Sequence, residues 1–166
     1  MLKSVNCVET MFLLEEQPVF TNILVALDGS KVSGRALIEA VDLAKLMNAK
    51  IQAIYVMEIV TSSLNPLDQS DRIDNTLAMY QLLEKEGNDV LKEAEKYCAD
   101  RGITVLPHLK QGDAGTVIIS FAEQENCDLI VVGSHGKSGF NRLFLGSVSS
   151  FVVKNNRVTT MVVRRH

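Results

Sequence analysis

The apolar residues of this chain follow two spacings. Some stand in short runs with little interruption, Ile23-Leu24-Val25-Ala26-Leu27 and Ile51 to Met57 being the first two. Such a run reads as a strand covered on both faces of a parallel sheet. Others recur every three or four positions, as in Leu37, Ala40, Val41, Ala44 and Met47. That is the stripe of a helix resting on a core. Ser30 is placed to cap the start of this first helix, and Asn48 to end it.

The alternation continues. Residues 58–72 hold Thr, Ser, Asn, Pro and Asp without a period and read as a long connection of the lid or binding-loop kind. Ile73, Leu77, Tyr80, Leu83, Val90, Leu91, Ala94 and Cys98 then hold one helical face over many turns. Gly87 inside that helix marks close packing or a kink, and Gly102 is placed at its C′ position. A third strand spans Ile103 to Lys110, and Pro107 within it predicts a sheet edge, since proline cannot donate to a central ladder. Asp113 caps a helix carrying Val117, Ile118, Phe121 and Ala122. Asp128 to Val132 forms the fourth strand, residues 146–155 a helix, and Thr159 to Val163 the last strand, also at an edge. A β-α-β-α-β-α-β-α-β order means one α/β domain, an open five-stranded parallel sheet with helices on both faces. Residues 1–20 stand apart. Val8, Met11, Phe12 and Leu14 suit a short helix face, a partner-binding adapter or a loosely held extension, and Pro18 interrupts any helix there.

Composition narrows the class. The 166 residues are 46% apolar and 22% charged, with a net charge of −3 and no Trp. That balance offers neither the basic surface nor the stacking platform of a nucleic-acid binder. Three cysteines, Cys7, Cys98 and Cys127, make no CxxC spacing and point to reduced thiols, not a disulfide framework or a zinc site. No run is long and apolar enough to span a bilayer, and no clean signal peptide is seen, so the expectation is a cytoplasmic protein without membrane contact.

The candidate chemistry lies where the fourth strand ends. Gly133-Ser134-His135-Gly136 is followed, nine residues on, by Gly146-Ser147 and a helix. A helix start presents N–H groups without intrahelical partners and favours an anion, while glycine permits positive φ and close approach of a ligand. Neither a Walker A loop, a GxGxxG turn nor an SGGxDS loop is present. Both glycine arms together are expected to aim N–H groups at one phosphate, with the Ser147 hydroxyl as a further donor. Asp28, at the end of the first strand, faces the same crevice if strands one and four are neighbours. Its carboxylate is either an Asx-turn cap or a partner for a ribose hydroxyl or a Mg²⁺-bound water. Lys137 and Arg142 stand in the excursion as phosphate counter-charges or as solvated surface residues. His135, His108 and His166 have no catalytic or metal-ligating spacing, and His135 is expected to pack or cap within the loop.

The segment GSHGKSGFNRLFLGSVS resembles the Gly-x2-Gly-x9-Gly-Ser/Thr motif of the universal stress protein family, and ILVALDGSKVSGRAL resembles that family's strand-one signature. The likeness covers about residues 21–165, and the expected domain spans 21–166. It implies a Rossmann-like sheet of the adenine nucleotide alpha hydrolase kind with strand order 3-2-1-4-5. It implies ATP as ligand, with Mg²⁺, or ADP or AMP in its place. Gly133, Ser134, Gly136, Gly146, Ser147 and the Val148 N–H would hold phosphates and ribose, Asp28 would lie by the ribose, Ala26 under the nucleotide, and the Val56 backbone would read adenine. It also implies a homodimer paired through strand 159–163. The expected function is a nucleotide-responsive regulator of the stress response acting on an unidentified protein partner, and not an enzyme. A slow ATPase or autophosphorylating enzyme, and an interaction module with a vestigial site, are the alternatives.

Overall fold

The computed structural model describes residues 19–58, 70–137 and 145–164, with side chains from residue 77 onward in the second of these segments. Residues 1–18, much of the 58–72 connection and Arg142 lie outside the described residues. Five strands form one sheet: β1 (Asn22–Leu27), β2 (Lys50–Met57), β3 (Val105–Gln111), β4 (Leu129–Gly133) and β5 (Thr159–Val163). All neighbours pair in parallel, in the order β3-β2-β1-β4-β5. Four helices connect them: α1 (Lys31–Met47), α2 (Ser70–Ala99), α3 (Ala114–Gln124) and α4 (Ser147–Asn155). The expected strand order holds. β3 and β5 are the edges, and Pro107 sits on one of them opposite Ala53.

Strand alternation sorts the core into two layers. Ile23, Val25, Leu129 and Val131 point to the face covered by α1 and α2, with Ala40, Val41, Leu91 and Cys98 above them. Leu24, Ile130 and Val132 point the other way, under Ile118, Phe121 and Val152 of α3 and α4. Both faces of β1 are therefore sealed, which is why its sequence is an apolar run and not an alternation.

The helix ends follow their predicted chemistry. Ser30 and Asp113 accept the N–H groups of Ser33 and Thr116 as N-caps. Asn48 ends α1 in the left-handed region at φ 52°. After α2, the Gly102 N–H reaches the Ala99 carbonyl and the Ile103 N–H the Cys98 carbonyl, with Gly102 at φ +72°. That is a Schellman closure with Gly102 at C′. The third strand begins two residues later than the apolar pattern suggests, because this closure uses Ile103.

Gly87 answers to packing. A Cβ there would stand 2.5 Å from Leu109 Cδ1 and 2.8 Å from Tyr55 Cδ1, so α2 rests its backbone directly on β2 and β3. At the amino edge of the sheet, Asp128 accepts from the Thr21 and Asn22 N–H groups and the Thr21 hydroxyl at 2.7–3.0 Å. This clamps the entry of β1 to β4 and leaves the carboxyl edge free for the site.

Candidate functional site

β1 pairs with β2 on one side and β4 on the other; the connection leaving β1 runs to β2, while the one leaving β4 runs the opposite way to β5. The carboxyl edge at such a switch is where parallel sheets open a crevice. A cavity of about 630 Å³ lies there, within the range of small-molecule sites. Of the nine residues expected at the site, Ala26, Asp28, Val56, Gly133, Gly136, Gly146, Ser147 and Val148 line it. Ser134 does not.

Ser134 is a strut between elements. It is buried, its N–H donates to the Val163 carbonyl at 2.7 Å, and its own carbonyl accepts from the Gly146 N–H at 2.7 Å and the Ser149 hydroxyl at 3.1 Å. The two glycine arms are thus tied to each other and to β5. This changes which groups can meet an anion. The N–H groups of Ser134, Lys137 and Gly146 are spent within the protein. The first turn of α4 follows instead: Gly146 is its N-cap and has no side chain to cap the N–H groups of Ser147, Val148 and Ser149.

The motif glycines are not explained by backbone conformation. Among the described residues the positive-φ glycines are Gly29, Gly102 and Gly112. Close approach accounts for the motif. A Cβ on Gly136 would stand 2.6 Å from Asp28 Oδ2, one on Gly133 3.0 Å from Val32 Cγ1, and one on Gly146 3.2 Å from the His135 Cα.

Asp28 joins the two loops. Its Oδ1 accepts from the Ser30 N–H at 2.9 Å, an Asx turn, and its Oδ2 accepts from the Lys137 N–H at 3.1 Å. The carboxylate still faces the cavity. His135 Nδ1 lies 3.1 Å from the Ser134 hydroxyl, a contact within the loop, and the residue also lines the cavity.

The cavity has two chemically distinct ends. Ala26, Ile54, Val56, Ile118, Val132 and Val148 form an apolar slot beneath α3 and α4. Asp28, Gly136, Ser147 and Ser149 make the polar end. β1 stops pairing with β2 at Leu27↔Tyr55, so Val56 overhangs at the slot. Glu58 stands at its lip, with Oε1 accepting from the Ala114 N–H at 2.9 Å.

Sequence reading missed Ile54, Ile118 and Glu58, and also Tyr55 and Glu86 on the other face. For Ile54 a signal exists, since it lies two residues before Val56 on the same side of β2. Glu86 has none, because α2 meets the glycine loop only in the folded chain. Lys137 Nζ pairs with Glu86 and lies 6.0 Å from the centre of the Tyr55 ring. Burial opposes the charge on Lys137, but the bond to Glu86 together with the negative charge of Tyr55, Glu86 and Asp28 holds the ammonium above its ordinary pKa. Burial likewise raises the Tyr55 phenol, against the pull of Lys137.

A five-stranded parallel sheet flanked by helices, with a two-ended crevice at its switch point, defines an α/β domain of Rossmann-like build. The chain belongs to the universal stress protein family, whose profile matches residues 20–164. It is 33% identical to universal stress protein MJ0531 of Methanocaldococcus jannaschii, over 89% of this chain and 84% of that one. It is 34% identical to universal stress protein YxiE of Bacillus subtilis, over 88% of this chain and all of that one (100%). Among solved structures, UspA of Lactobacillus plantarum superposes with a TM-score of 0.73 at 28% identity, covering 87% of this chain and 97% of that one. An Arabidopsis thaliana family member solved with AMP bound shares the fold, at TM-score 0.63 and 22% identity over 88% and 92% of the two chains. So does a universal stress protein solved in complex with cAMP, at 0.64 and 22% over 87% and 97%.

Proposed function

We propose that this chain is an ATP-binding universal stress protein, a nucleotide-responsive regulator in the stress response. The observation that carries the reading is a single cavity joining an apolar slot to the uncapped first turn of α4. A base suits the slot. There the backbone of Val56 would read adenine, with Ala26 beneath it. The triphosphate suits the other end, against Gly133, Gly136, Gly146, Ser147 and Val148, and the ribose would lie by Asp28. The relatives solved with AMP and cAMP support an adenine nucleotide in this fold. Among the described residues no three carboxylate, His or Cys side chains group as a metal site. A Mg²⁺ would therefore be carried mainly by the phosphates.

Asp28 supports regulation over turnover. Both its oxygens accept backbone N–H groups, which holds the carboxylate as a brace and not as a free general base. Occupancy would instead act on the 133–147 loop that the two arms carry and change a surface read by a partner. The domain would span residues 21–166 in the cytoplasm, preceded by the 1–20 extension.

Mass spectrometry of protein purified without added nucleotide tests the reading. An adenine nucleotide retained by the protein is the expected result. A different class of ligand in its place would overturn it.

The β5 edge supports a homodimer through residues 159–163. An unpaired strand edge invites a partner strand, and pairing about a twofold axis would put a second copy there. Light scattering at micromolar concentration should give twice the chain mass, and a monomer throughout would remove the dimer.

A further inference from the structure

The cavity is proposed to hold a polyanion, yet its described lining is acidic. Asp28, Glu58 and Glu86 line it, against one lysine, Lys137. That lysine is already engaged, its ammonium paired with the Glu86 carboxylate of α2. The pair is not rigidly buried. The two side chains are 45% and 42% exposed, so the contact is screened and exchangeable.

The surroundings hold Glu86 in this place. Gly87 lets α2 sit against Tyr55, and Gly29 does the same one turn further along α2. A Cβ on Gly29 would stand 3.0 Å from Val90 Cγ2 and 3.3 Å from Lys137 Cε. The Lys137 backbone is pinned by Asp28 at 3.1 Å. Its main chain is thus fixed at the glycine loop, while its flexible four-carbon stem, 45% exposed, carries the ammonium on the α2 side.

We infer that the Lys137–Glu86 pair is a built-in competitor of nucleotide phosphate. Glu86 holds the lysine until a phosphate chain enters, and the lysine then exchanges its carboxylate partner for a phosphate oxygen. The inference rests on the proposed nucleotide site. It makes Glu86 a determinant of specificity by phosphate number, although it stands on a helix outside the glycine motif. A longer phosphate chain offers the lysine more negative charge, so it competes better with Glu86 than a monophosphate does. The exchange also releases α2 from the glycine loop, giving nucleotide occupancy a route to that helix.

Titration calorimetry of the full chain with ATP and AMP tests this in three variants. Glu86→Gln keeps size and polarity but removes the competing charge. It should tighten ATP by about fivefold and AMP by about twofold or less. Lys137→Met should weaken ATP by about tenfold. In the Lys137→Met background, adding Glu86→Gln should change ATP affinity by less than about twofold, because the competed group is gone. Unchanged ATP affinity in Glu86→Gln overturns the inference. So does an equal gain for ATP and AMP, or a gain that survives without Lys137, since Glu86 would then act only as a bulk charge. Wild type that binds neither nucleotide would instead remove the site reading itself, and the two failures are distinct.

Discussion

Gly136→Val should abolish ATP binding at millimolar nucleotide while the chain stays folded. A Cβ at this position stands 2.6 Å from Asp28 Oδ2, closer than contact allows. The clash is with the carboxylate that braces the β1 turn against the Lys137 N–H. Valine adds two methyl groups to the collision and projects them toward the polar end of the cavity. The carboxylate must move, the bond to Lys137 is lost, and the first glycine arm shifts from the α4 first turn. Loss of at least about 100-fold in affinity is expected where several charge-assisted contacts go together. Global stability should fall by only about 1–2 kcal/mol, because Gly136 is exposed and touches no core layer. Gly34→Val is the matching control. No atom lies within 4 Å of a Cβ there, so binding should be unchanged. Calorimetry paired with a thermal melt reads both quantities. Wild-type affinity in Gly136→Val would show that the close approach to Asp28 has no part in binding.

The second large effect is on stability. Gly87→Val should lower the melting temperature by about 10 °C, equivalent to roughly 3 kcal/mol for a chain of this size. The new Cβ would meet the Tyr55 ring and Leu109, and the ring cannot give way because it is 6% exposed under α2. Gly87→Ala sets two effects against each other. Alanine gains about 1 kcal/mol of helix propensity, and overpacking costs about 1–3 kcal/mol. The net should still be destabilising. A higher melting temperature in Gly87→Ala would mean that α2 does not rest on β2 as tightly as the Cβ distances require. Because Tyr55 also borders the Lys137–Glu86 pair, either variant should blunt the effect of Glu86→Gln.

Much of this fold is legible in the residues because each element carries its own signal. The run Ile23 to Leu27 is sealed on both faces and looks it. Ser30, Asn48, Gly102 and Asp113 end or start helices for local reasons that act within a few residues. Pro107 marks an edge for the same kind of reason. The site is legible where one motif supplies it, and so Gly133, Gly136, Gly146 and Ser147 fall together. What escapes are pairs made by distant segments. Ser134 looks like a phosphate donor in sequence, but β5 and α4 take its backbone groups. Glu86 and Lys137 are separated by 51 positions and meet only because Gly87 lets α2 settle on the sheet. The role of the glycines also differs from its local reading. Positive φ is a property of one residue and can be guessed, whereas a 2.6 Å approach to Asp28 depends on two strands being neighbours.

The cavity at the β1–β4 switch is proposed to bind an adenine nucleotide, with the base in the slot and phosphates at α4. Titration calorimetry of ATP into wild type tests it most directly, run beside GTP and the Ile118→Trp variant, which fills the slot from α3. Submillimolar ATP affinity at one site per chain, weaker GTP, and loss of ATP binding in Ile118→Trp with Gly34→Val unaffected are the expected results. No heat of binding from ATP, ADP or AMP to wild type, or ATP binding undiminished by the filled slot, would contradict it.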